Sequence, residues 1–225
     1  MQRLFVWDYH GTLCTGAEDA LKTILDNVLE SFGINKKVSN EDVLGLFGKP
    51  MGDFFRHFQP AIGHAQLVEM TNFFEKLSKE VAPLHIKPRE NVHAVLGEIR
   101  KRGDVNVVVS STPPHRLLDF LEMISIQDLI DHYIGIPYII EHKGGKAVAY
   151  KARKIKEFAA GRFSSVVMTG DRETDMEIGR RLGAKTFFLS DKPYVNADKI
   201  ISGLSEVLEV YKENPVDSLV PEYHE

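Results

Sequence analysis

The 225-residue chain has little sulfur and no excess of positive charge. Cys14 is its only cysteine, which excludes an intramolecular disulfide and a cysteine-ligated zinc cluster and suits a reducing compartment. No apolar run approaches the ~20 residues that a helix needs to cross a bilayer. Lys and Arg number 28 against 32 Asp and Glu, a formal charge of −4, so no net field draws the chain to nucleic acid. Its nine histidines never stand at His-x-x-x-His spacing, the ligand pair of helical zinc hydrolases. Repeats and low-complexity tracts are missing. The chain reaches its first apolar run almost at once, so no signal peptide is expected. These absences lead to a cytoplasmic protein with no membrane or nucleic-acid partner. Its oligomeric state is open.

What is present is an ordinary globular composition, 43% apolar and 27% charged, enough to bury a core without staples. Leu4 to Trp7 read as a buried strand that ends on Asp8. Residues 17 to 82 read as wholly helical. Leu21, Ile24, Leu25, Val28, Leu29 and Phe32 mark the first helix, and residues 41–47 the second. Phe54, Phe55 and Phe58 suggest a third, and Leu67, Met70, Phe74, Leu77 and Val81 a fourth. After Pro83 and Pro88 strands alternate with helices. Strands are expected at 105–109, within 133–140, at 166–169 and at 186–189. Helices are expected around Val92–Ile99, after Pro113 and Pro114 with Leu117, Leu118 and Leu121 buried, along Val148–Ala159, and from about Thr174 to Leu182. This alternation implies a parallel sheet covered on both faces. The chain is therefore expected to be one α/β core, residues 1–15 and 84–212, with a helical insertion at 16–83 and a loose tail at 213–225.

Four polar sites fall at or just after the expected strand ends: Asp8 with Gly11 and Thr12, then Ser110, then a lysine ahead of a helix, read as Lys146 in the run 142–146, then Gly170-Asp171 with Asp175. In a parallel sheet these ends share one edge, where ligands bind. Carboxylates, a hydroxyl and an ammonium at one edge suit phosphoryl transfer. Asp8 and Asp171 can hold Mg²⁺, with Asp175 near a metal-bound water. Ser110 and the N–H of Ser111 can donate to the transferring group, and Lys146 can hold both nucleophile and phosphate.

With these four motifs in this order, the chain resembles the haloacid dehalogenase superfamily of hydrolases, and most of all its phosphoglycolate phosphatase and β-phosphoglucomutase branch. The resemblance implies a Rossmann-like parallel sheet with an inserted α-helical cap. It also implies a Mg²⁺-dependent phosphatase of a small phosphorylated metabolite, in which Asp8 forms an aspartyl-phosphate that water hydrolyses. The backbone carbonyl of residue 10 would be a further metal ligand.

One position departs from that pattern. The family's phosphatases carry a second Asp two residues after the nucleophile, as acid and base, and here His10 stands there. His10 is expected to take over proton transfer, since the unperturbed imidazole titrates near ~6.5; the plainer alternative is a space-filling histidine. The family's dehalogenases also lack that Asp, but they lack the paired acids at 171 and 175 as well. Phosphonoacetaldehyde hydrolases carry an imine-forming lysine where Phe55 stands. A phosphate-binding pseudoenzyme is the non-catalytic alternative. In the cap, the loop 47–52 brings Lys49, and more weakly Arg56, forward as candidates for selecting the leaving group.

Overall fold

The computed structural model describes residues 2–47, 49, 51–137, 145–192 and 196–213. Gly48, Pro50, residues 142–144 and most of the expected tail lie outside them.

Strand β1 (Arg3–Asp8) is central because it is apolar on both faces. Its side chains alternate with the pleat. Phe5 and Trp7, with Tyr9 just beyond, pack into one apolar cluster, and Leu4 and Val6 into another. The chain then forms a two-residue strand β2 (Cys14–Thr15) and enters four helices: α1 (Ala17–Ser31), α2 (Asn40–Leu46), α3 (Met51–Phe58) and α4 (His64–His85). They pack around a core of their own that includes Leu25, Val28, Phe55 and Met70. The expected helix faces are those that pack. α4 runs two residues past Pro83, which sits in the last turn.

The return strand β3 (Lys87–Pro88) pairs antiparallel with β2, Cys14 opposite Pro88 and Thr15 opposite Lys87. The helical block therefore leaves and rejoins the core through one short ribbon. Next come α5 (Val92–Lys101), β4 (Val105–Val109), α6 (Pro114–Met123), a 3-10 turn, β5 (His132–Ile134) and α7 (Lys146–Ala159). β6 (Ser165–Gly170), α8 (Glu173–Leu182), β7 (Lys185–Leu189), β8 (Lys199–Ile201), a second 3-10 turn and α9 (Val210–Glu213) complete the described chain.

The six-stranded sheet runs β5-β4-β1-β6-β7-β8, and every pairing in it is parallel. From β1 the chain moves outward to β4 and β5, then crosses back to β6 on the other side. That reversal at β1 is where an open parallel sheet splays a crevice. The register pairs Asp8 with Val109 and Trp7 with Thr169. Ser110 and Gly170 are therefore the next residues beyond the paired positions on either side of Asp8.

The structure corrects one detail of the sequence reading. Leu118 is exposed (36%), and Phe120 takes its place on the buried face of α6 (8%). Within β4, Asn106 lies fully buried. Its carboxamide oxygen accepts from the Trp7 indole N–H (3.0 Å), and its amide donates to the carbonyls of Leu96 (3.0 Å) and Leu129 (3.1 Å). One polar side chain thus pins β1, α5 and the following turn together. Unpartnered buried polar groups cost roughly 1–3 kcal/mol each. Asn106→Ala is therefore expected to lower stability by about 3 kcal/mol in urea unfolding; a loss under about 1 kcal/mol would refute this role.

Candidate active site

Asp8, Asp171 and Asp175 each offer a carboxylate oxygen, and these atoms all lie within 4.8 Å of one another. Asp8 ends β1, Asp171 follows β6, and Asp175 lies in the first turn of α8. Two glycines make this crowding possible. A Cβ on Gly11 would lie 2.3 Å from Asp171 Oδ2, and Gly11 has φ of +87°. A Cβ on Gly170 would lie 2.4 Å from Asp175 Oδ2. The Thr12 hydroxyl donates to Asp171 Oδ1 (3.0 Å), and the Arg172 N–H to Asp175 Oδ2 (3.1 Å). Arg89, just past the ribbon, donates from Nε to the Thr12 carbonyl (2.8 Å) and from Nη2 to the Gly11 carbonyl, which fixes the turn after Asp8.

Burial is the main influence on the acids. It raises Asp8 well above the usual carboxylate range, with repulsion from Asp175 and Asp171 adding and Lys151 opposing. Asp171 is also raised by burial, against the pull of Arg172. Asp175 is pushed up to about 6 by burial, with Lys151 opposing and Asp171 adding. Three acids compressed around one point and countered mainly by one buried ammonium leave negative charge without a full partner. An all-oxygen donor set of this kind fits a hard divalent cation such as Mg²⁺.

The basic group at the site is not the one expected. Lys146 is the first residue of α7 and is exposed; it is not part of the cavity lining. Lys151, five residues on, is buried (6%) and lines the cavity with Asp8 and Asp175. It shares the buried stripe of α7 with Val148, Ala152 and Ile155, and a lysine at helical spacing inside an apolar stripe was the available signal.

Ser110 is buried at the end of β4. Its N–H donates to the Ile134 carbonyl (2.9 Å) and its hydroxyl to Thr112 Oγ1 (3.1 Å). Ser110, Ser111 and Thr112 line the same cavity as Asp8. His10 lines it too. Its ring stands edge-on to Tyr9, Phe47 and Phe120, with Nε2 3.2 Å from Thr112 Oγ1 and Nδ1 3.7 Å from Cys14 Sγ. Burial, with Lys151 and Arg172 adding, pushes His10 down to about 3, so the imidazole is neutral at neutral pH. Lys49 is exposed at the cavity wall, whereas Arg56 lies outside the lining and packs over Gly52. Phe55 is fully buried among the helices. Arg116 and Arg172 also line the cavity and are not singled out by the sequence.

Fold and site together define an α/β enzyme with a carboxylate-lined centre at the carboxyl edge of its sheet. The family model for "Haloacid dehalogenase-like hydrolase" matches residues 5–189, and the chain belongs to that family. It is 23% identical over 191 residues to a phosphoglycolate phosphatase of Aquifex aeolicus (strain VF5), covering 82% of this chain and 83% of that protein. Its fold is similar to that of a haloacid dehalogenase-like hydrolase from Bacteroides fragilis, with TM-score 0.74, 18% identity, and 92% of this chain and 100% of that one covered. It is also similar to CbbY from Rhodobacter sphaeroides, solved with phosphate, with TM-score 0.74, 12% identity, and 92% and 96% covered. Among the described residues no helix is long and apolar enough to cross a membrane.

The crowded acids give a stability prediction. A carboxyl raised from 3.8 to about 6 binds protons more tightly when folded. Its contribution is therefore favourable below the unfolded value and is lost as pH rises through the folded one. Without divalent cations the thermal midpoint should fall between pH 4 and pH 6, and Mg²⁺ at pH 7 should restore it. Asp175→Asn should raise the midpoint in EDTA and shrink the Mg²⁺-induced shift. Equal Mg²⁺ shifts in both proteins would count against a cation at this point.

Proposed function

We propose that the chain is a Mg²⁺-dependent phosphatase of small phosphate monoesters, with Asp8 as nucleophile. The observation that carries this reading is the convergence of Asp8, Asp171 and Asp175 beside buried Lys151 at the sheet's carboxyl edge. The family membership and the phosphatase among its relatives support it.

Asp8, Asp171, the carbonyl of His10 and, directly or through water, Asp175 would hold the cation, which when bound supplies positive charge against the repulsion between a carboxylate nucleophile and a phosphate dianion. Asp8 then attacks phosphorus, the bond to the leaving oxygen breaks, and an aspartyl-phosphate forms. Water adds to its phosphorus, releasing inorganic phosphate and regenerating the Asp8 carboxylate. Ser110, with the N–H of Ser111, would donate to the phosphoryl oxygens. Lys151, rather than the expected Lys146, would hold nucleophile and phosphate, because of these two lysines Lys151 is buried and acts on Asp8.

His10 fills the acid–base position as a neutral imidazole. An imidazole where the family's phosphatases carry an acid–base Asp is also what favours the second reading, phosphate binding without turnover. A dehalogenase reading gains nothing from the paired acids at 171 and 175. A phosphonoacetaldehyde hydrolase reading fails to find its lysine, since buried Phe55 stands there.

Turnover of a phosphate-ester panel should require Mg²⁺ and vanish in EDTA and in Asp8→Asn. Persistent hydrolysis by folded Asp8→Asn would remove Asp8 as nucleophile, and Mg²⁺-dependent phosphate binding with no turnover of any ester would select the second reading. Lys151→Met should lose roughly 100-fold or more in kcat, about 2.7 kcal/mol of barrier, while Lys146→Ala stays within about threefold of wild type, or ~0.7 kcal/mol. The reverse order would return the role to Lys146. For His10, a limb of the pH–rate profile present in wild type and missing in His10→Ala marks proton transfer. Superimposable profiles assign the ring to packing.

A further inference from the structure

The cavity above Asp8 has two unlike walls and a volume of about 720 Å³. The sheet edge is polar. The opposite wall, built from the helical block with Phe47 and Phe120, is apolar, and Leu21, Ile24, Phe54 and Phe74 form much of it. Set into this wall is a buried cation, Arg116 of α6, only 5% exposed. Its Nη2 donates to Ser78 Oγ on α4 (2.9 Å), its Nη1 to Asp119, and its guanidinium carbon lies 5.3 Å from the Phe120 ring centre. A guanidinium has five N–H donors, so these two bonds leave three.

We propose that the substrate's leaving group is an apolar body, aromatic or branched alkyl, carrying a single carboxylate that Arg116 binds. The proposal rests on the phosphatase reading and deepens it. A sugar would set several hydroxyls against the apolar wall, and each one left unsatisfied costs roughly 1–3 kcal/mol. An aromatic or branched body loses nothing there and gains from burial. The guanidinium fork matches a carboxylate in a planar, two-bond geometry. One negative charge fits better than two, because Asp119 already neutralises part of the guanidinium. A site of this volume lies within the range for small-molecule ligands, roughly 300–1,000 Å³, and is more than a two-carbon leaving group needs.

The experiment compares kcat/KM for 4-carboxyphenyl phosphate, phenyl phosphate, 2-phosphoglycolate and glucose 6-phosphate with Mg²⁺, in wild type, Arg116→Met and Arg116→Lys. Wild type should prefer the carboxylated aryl ester over each of the others by tenfold or more. The preference over phenyl phosphate should fall to within twofold in Arg116→Met and by at least threefold in Arg116→Lys, the variant to read if the first does not fold. Binding of the two aryl phosphates to Asp8→Asn, measured by calorimetry, reports the same preference without turnover. A carboxylate preference there, lost in Asp8→Asn/Arg116→Met, upholds the Arg116 site even if no ester is hydrolysed, and in that event the hydrolytic reading is the one that fails. Equal binding of the two aryl phosphates, a preference that survives loss of the arginine, or glucose 6-phosphate or 2-phosphoglycolate as the best substrate would overturn the inference.

Discussion

Three carboxylates forced together at the end of the central strand are the constraint on which the rest of the structure depends. Burial raises the proton affinity of all three, so the ionised cluster works against folding unless positive charge is brought in. The chain supplies one buried ammonium, Lys151, and keeps Arg172 close by. Among the described residues these cations, with Arg89, still leave all three acids raised. Under-neutralised in this way, the cluster presents the all-oxygen donor set that a hard divalent cation would fit. The surrounding backbone is arranged to hold the acids together: Gly11 and Gly170 give up side chains where carboxylates need the space, and Thr12 and the Arg172 N–H orient the oxygens.

The acids were legible in the sequence because each follows a run of strand residues, and parallel pairing sends such positions to one edge. The alternation of strand and helix, with an all-helical block after the first strand, was legible for the same reason. Features decided by tertiary contact were less so. Lys151 was passed over in favour of Lys146 because a lysine beside glycines reads as a helix start, whereas the choice depends on which side of α7 meets the sheet. Lys146 in the first turn also faces the positive end of the helix dipole. Asn106 broke an otherwise apolar strand, but its purpose depends on Trp7, Leu96 and Leu129, none of them its neighbours in sequence. β8 and the β2–β3 ribbon, at three and two residues, carry too little periodicity to announce themselves. Arg116 was hidden by its type, since arginine on a helix is ordinarily solvated and only the fold shows it closing an apolar wall.

The helical block contributes differently to stability and to the site. Ala17 and Ala20 of α1 and Ala82 of α4 join the sheet's cluster, while the block's own cluster, with Phe55 and Met70 fully buried, packs the four helices on one another. Phe54 and Phe74 belong to that cluster and also line the cavity. The wall that meets a ligand is thus an extension of the block's packing, so changes in its shape carry a folding cost. That coupling distinguishes this wall from Lys49, which is exposed on a loop and can change without disturbing the block.

The ribbon is where the two parts become one mechanical unit. Arg89 follows β3 directly, and its backbone N–H donates to the Leu13 carbonyl (2.9 Å) while its side chain holds the carbonyls of Gly11 and Thr12. Thr12 in turn holds Asp171. The strand that returns from the helical block is therefore bonded to the same turn that positions the clustered carboxylates, through a path of three residues. Any shift of the ribbon must either carry that turn with it or break charge-assisted bonds worth roughly 1.5–3 kcal/mol each. Through Arg89 and Thr12, the position of the ribbon and the geometry of the acids are consequently not independent variables.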